Sequence, residues 1–140
     1  MTPSLASRLV ACRRGVSAVE IALVLPIFLG LLFGIINFSL VLWTQGSLYY
    51  AAQAAARCAS ANPTICGSPA SPALVTTYAL NQYFGQPLDG ANPFAYSFLP
   101  SGCGHSVTAS YTYPVSIPFY GDYAVPLSAS ACFPAGGSTG

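Results

Sequence analysis

Residues 13–26 read RRGVSAVEIALVLP, which joins a basic pair, a glycine, a lone glutamate and the start of an uncharged run. From Ile21 to Trp43 the chain has 23 residues without a charge, and the first 16 of them, to Ile36, carry no polar side chain. As a helix this run measures roughly 35 Å, enough to cross a hydrocarbon core of about 30 Å with some tilt. Trp43, Tyr49 and Tyr50 follow it, where an interfacial aromatic belt belongs. One transmembrane helix is expected, with its span at about 21–43.

Composition agrees. Only 5% of the residues are charged and 54% are apolar, so a conventional solvated surface is hard to build. A length of 140 residues allows one domain of ordinary size. The formal net charge is +1, and no basic run occurs beyond Arg13-Arg14, which excludes a nucleic-acid partner. Composition therefore points to a membrane protein or to one buried in an assembly, and the apolar run decides for the lipid bilayer as partner.

Orientation follows from the flanks. Arg8, Arg13 and Arg14 precede the span, whereas Arg57 is the sole basic residue after it. The positive-inside rule puts the N-terminus in the cytoplasm and the chain from about residue 44 outside it. Cys12 is then cytoplasmic, and Cys58, Cys66, Cys103 and Cys132 are exported. Four cysteines in an oxidising compartment imply two disulfides, for which three pairings exist. Cys58 and Cys66 are close enough in sequence for a local bridge, which leaves Cys103, before one strand, for Cys132, near the end of another. The lack of paired C-x-x-C spacing argues against zinc.

The glutamate needs its own explanation, because a carboxylate at the edge of lipid is costly unless paired. A basic leader, Gly15, four residues, Glu20 and then an apolar helix is the pattern of type IV prepilins and related pseudopilins. Cleavage between Gly15 and Val16 would leave Val16 with a free α-amino group. Glu20 could then pair with the α-amino group of a neighbouring subunit. The competing reading is an uncleaved signal-anchor whose glutamate simply lies at the interface. A cleaved secretory signal fits poorly, because the apolar run is too long and the nearest Ala-x-Ala lies past its end.

The stretch from Arg13 to Ser60 resembles the TadE-like family of the tight-adherence (Tad, or Flp) pilus system. Gly15, Ala18, Val19, Glu20, Ala22, Leu23, Leu25 and Pro26 match the family's start, and Ala51 to Arg57 match its alanine-rich A-x-x-A-A-R stretch. Ile21 stands where phenylalanine is common. The resemblance covers about the first 60 residues. It implies a minor pseudopilin-like component of a bacterial pilus assembly machine, held in the inner membrane and processed by a prepilin peptidase. Its implied partners are other Tad/Flp pilins and pseudopilins, and platform proteins of the inner membrane.

Three segments are expected: a leader over 1–15, a long helix over 16–61, and an exported α+β domain over 62–140. Pro26 should bend the helix. Gly30 and Gly34 form G-x-x-x-G, which lets helices approach closely. The alanine-rich continuation, ending at Asn62-Pro63, reads as a helix packed against other protein. A loop over 62–71 leads to a second helix, capped by Ser71, begun at Pro72 and stopped at Gly85, with its apolar period over 74–84. The period then becomes two around Phe94–Phe98, Val107–Tyr113 and Leu127–Phe133, which describes a small antiparallel sheet. Residues 117–126 read as a long aromatic connection with a Gly121-Asp122 turn, and the terminal GGSTG as frayed. The expected fold class is α+β and pilin-like.

No enzyme is expected. His105, Asp89, Asp122 and many serines could formally make a triad, yet no G-x-S-x-G elbow occurs. No G-x-x-x-x-G-K-[ST] loop occurs either, which excludes a motor ATPase. Neither a cofactor nor a metal is expected, and His105 reads as a surface or hydrogen-bonding residue. Two functions remain: a cleaved structural pseudopilin, or an uncleaved membrane-anchored binding module of an adhesin-like kind.

Overall fold

The apolar run and the alanine-rich run after it form one helix, α1, Arg14–Ala61, with Pro26 inside it. The structure, a computed structural model, describes residues 14–88, 90, 92–117 and 121–135. The leader before Arg14, Asp89, the centre of the last turn and the terminal GGSTG lie outside the described residues. After α1 come α2, Pro63–Cys66, and α3, Pro72–Gln82, then strands β1, Phe94–Leu99, β2, Gly104–Ile117, and β3, Gly121–Phe133. Helices followed by an antiparallel sheet in the order β1-β2-β3 make the fold α+β.

The chain divides into two units, residues 1–38 and 39–140. In the first, every side chain from Ser17 to Ile36 is exposed, as expected of a surface meant for lipid or for other helices. Residues 17–61 of α1 are long and apolar enough to cross a membrane. Asn37 is half-buried and donates from Nδ2 to the Phe33 carbonyl at 2.8 Å, so its amide is partly satisfied within the helix.

In the second unit, α1 buries one face. Thr44, Ser47, Leu48, Ala51, Ala52, Ala55, Ala56 and Cys58 are buried at three- and four-residue spacing. They share a core with Val75 and Ala79 of α3 and with Phe94, Val107, Ala109, Tyr113, Leu127, Ala129 and Ala131 of the sheet. Alanines at the centre let the backbones come close, so the alanine-rich stretch is packed on its own domain. Leu40 and Val41, inside the expected span, also pack against this core.

The inner residues of the sheet face each other across the strands, Val107 opposite Ala131 and Ala109 opposite Ala129. The outer residues Thr108, Ser110, Thr112, Ser128 and Ser130 are exposed hydroxyls, the expected alternation of a sheet covered on one side.

Three expectations are corrected. The loop over 62–71 contains the α2 turn, tied by Cys66 N–H to the Asn62 carbonyl at 3.0 Å. Helix α3 ends at Gln82, short of Gly85, and its Ser71 makes no side-chain cap. Tertiary bonds pull the next residues away: Phe84 N–H donates to Ser47 Oγ at 2.9 Å, and Tyr83 Oη donates to the Gln86 carbonyl at 2.7 Å. The connection over 117–126 is mostly strand, with Ile117 paired to Gly121 and Tyr113 to Val125. Pro114 and Pro126 of this ladder are tolerated because both stand at edges. Pro126 is on edge strand β3, and Pro114 lies where β2 has outrun β1, whose pairing ends at Ala109.

Candidate functional site

Helix geometry organises the N-terminal residues. At about 100° per residue, positions 16, 20, 23, 27, 30 and 34 fall within a sector of roughly 80° on α1. The residue bearing the α-amino group of a chain cut after Gly15, Glu20, and both glycines therefore share one face. Glu20 is exposed, and an added Cβ at Gly30 or Gly34 would meet nothing within 4 Å. That face carries one carboxylate, apolar side chains and a shallow strip of glycine, with no protein against it among the described residues. Such a surface can pack another helix closely and can bind one positive group.

Where α1 enters the second unit, three aromatic rings from two distant segments meet. Trp43 and Tyr50 each stand edge-on to Phe84, at 5.6 and 5.5 Å between centroids. Trp43 Nε1 donates to the Phe84 carbonyl at 3.4 Å. Sequence reading found Trp43 and Tyr50 but missed Phe84, whose partner lies 41 residues away and leaves no local signal.

Grooves on the second unit include two lined by aromatic side chains of α1, α3 and the sheet. One, of about 420 Å³, is lined by Tyr50, Gln53, Arg57, Asn62, Tyr78 and Phe133. The other, of about 470 Å³, is lined by Ser60, Pro72, Tyr96, Phe98 and His105 among others. In it the Tyr96 hydroxyl and His105 Nδ1 share a 2.7 Å hydrogen bond, and the Tyr96 and Phe98 rings flank the imidazole. Burial raises the Tyr96 pKa above its ordinary value. Burial also raises that of Tyr83, with Tyr111 adding to the shift and a hydrogen bond from Thr44 opposing it.

The residues considered for a triad are not brought together. His105 pairs with Phe133 and Asp122 with Ser116, at opposite ends of the β2–β3 ladder and roughly 35 Å apart along it. Asp89 lies outside the described residues. No group of three or more metal-ligating side chains occurs among the described residues.

The cysteines form two bridges, Cys58–Cys66 and Cys103–Cys132. The first closes the turn after α1, and the second joins the start of β2 to the end of β3.

Residues 15–57 match the family model of TadE-like protein. The match begins at Gly15 and ends at Arg57, so it takes in the shared face of α1 and the alanine-rich run that meets the sheet. No curated protein and no solved structure matches the chain. A TadE-like segment carried on a helix able to cross a membrane fits a single-pass protein associated with a Tad pilus system.

Proposed function

We propose that this protein is a minor pseudopilin-like structural component of the Tad (Flp) pilus assembly system. A prepilin peptidase cuts between Gly15 and Val16. The mature chain stays in the bacterial inner membrane through α1, with the domain from about residue 44 in the periplasm or carried into the pilus. The observation that carries this reading is the shared face of α1, where position 16, Glu20, Gly30 and Gly34 line up inside the TadE-like segment.

The chemistry is assembly rather than catalysis. Cutting after Gly15 removes the arginines of the leader and creates one ammonium group at Val16. That ammonium is the complement of Glu20 on a neighbouring helix, and pairing offsets much of the cost of holding a carboxylate at the edge of lipid. Gly30 and Gly34 let the two helices approach below the pair. Two disulfides suit an exported domain with few charges.

Replacing Gly15 by a bulky residue tests the cut. The variant should accumulate as a full-length membrane-bound precursor when expressed with the peptidase. Normal processing would refute the site.

The second reading, an uncleaved anchored binding module, draws on the aromatic grooves around Arg57 and His105. An intact leader on the membrane-bound protein would favour it.

A further inference from the structure

The second unit carries very little charge, and what it carries is split between two ends of one strand. Arg57 is the sole basic residue after Arg14, and Asp122 is the one carboxylate after Glu20 among the described residues. Both are exposed. Arg57 and Phe133 line one groove, at the end of β3, whereas Asp122 stands at the start of that strand. From Asp122 to Phe133 the strand covers about 35 Å. These two opposite charges therefore cannot meet within one copy.

The two ends match in more than charge. The groove, of about 420 Å³, sets Arg57 among Tyr50, Tyr78 and Phe133, with the amides of Gln53 and Asn62 at its edge. Tyr50 is 52% exposed, so part of its ring is open to a visitor. At the other end, Asp122 and Tyr123 line one shallow hollow with Tyr111 and Pro114, and Tyr123 is also 52% exposed. One end offers a carboxylate beside an exposed ring; the other offers a guanidinium beside exposed rings. A carboxylate and a guanidinium form a charge-assisted, bidentate pair, and aromatic rings add area and edge-to-face contact around it.

We infer that the Arg57 groove receives the Asp122–Tyr123 end of a second copy of this chain, with Asp122 paired to Arg57. Charge complementarity selects the occupant, because the chain itself exposes the acid and the ring that the groove can take. The contact is small. One groove buries far less than the roughly 1,200 Å² of a stable interface, so it acts between copies already gathered at high local concentration. To that extent the inference rests on the reading of the protein as an assembly component, though not on the cut after Gly15. A contact between two different patches can also repeat from copy to copy.

Cross-linking of the full chain in cells that make the pilus proteins tests this. In a Cys12→Ser background, one variant carries Gln53→Cys in the groove and another carries Ala124→Cys beside Asp122. Both positions are exposed, and the remaining native cysteines are held in the two bridges. A short bis-maleimide should link the two variants when they are expressed together and leave each alone unlinked. Arg57→Asp and Asp122→Arg should each lower the yield about tenfold, since like charges then face each other. Both reversals in one chain should restore it, which damage to the fold would not allow. A product from either variant alone would show a two-fold contact and overturn the inference. So would a yield that Arg57→Asp leaves unchanged, or a loss that Asp89→Asn reproduces and Asp122→Asn does not. No product from chains that still co-purify with pilus proteins overturns the inference and leaves the assembly reading intact. No product and no co-purification would remove both.

Discussion

Position 16 and Glu20 stand one turn apart on α1, about 6 Å along its axis. On the proposed function, an ammonium group created at Val16 would lie on the same face as Glu20, the face on which Gly30 and Gly34 would admit a partner helix. One cut would then change what that face can bind.

Glu20→Gln keeps the size of the side chain and removes its charge. The variant should reach the membrane in normal amount, because one neutral amide does not hinder insertion. Its co-purification with other pilus proteins should fall about tenfold or more, as expected for loss of an interaction worth at least 1.4 kcal/mol. Wild-type co-purification would show that the carboxylate has no part in assembly.

Gly104 holds φ at +97°, and a Cβ there would run into the backbone of Phe133, Pro134 and Ala135. Gly104→Ala should destabilise the domain by about 3 kcal/mol, since a strained φ alone costs about 1–3. Thermal unfolding of the detergent-solubilised protein reads this. A transition within a degree of wild type would contradict the packing of residues 133–135 on the start of β2.

The bridges differ in loop length, with sequence separations of 8 for Cys58–Cys66 and 29 for Cys103–Cys132. In the chain-entropy model their loss costs about 2.5 and about 3.5 kcal/mol respectively. Paired Cys→Ser variants should therefore rank with the sheet bridge as the more costly. Unreduced peptide mapping should find these two links; a 58–132 link would mean a different arrangement of α1 on the sheet.

Ala52 is fully buried where α1 lies on its domain. Ala52→Leu adds volume that this close packing has no room for and should cost about 1–3 kcal/mol. An unchanged denaturation midpoint would argue that the helix and sheet are farther apart than the buried alanines indicate.

Much of the fold was legible because two periods are written plainly. The apolar run and the alanine run gave α1, and alternation around Phe94, Val107 and Leu127 gave the strands. What was misread lay where tertiary context outweighed local chemistry. Pro114, Asp122 and Pro126 are breakers by themselves, yet an edge of a two-stranded ladder accommodates them, so the hairpin is longer than its sequence suggests. Helix α3 stops before its glycine because Ser47 captures the Phe84 amide from another element. The face of α1 follows from the helical period once Gly15 and Glu20 are recognised. Phe84 could not be found this way, since nothing local announces a partner on another helix.

The mass of the N-terminus of the protein purified from its native membrane tests the central claim most directly. The account predicts a chain that lacks residues 1–15 and begins at Val16 with a free or modified α-amino group. A membrane-bound chain that keeps those residues, in cells with an active prepilin peptidase, would contradict it.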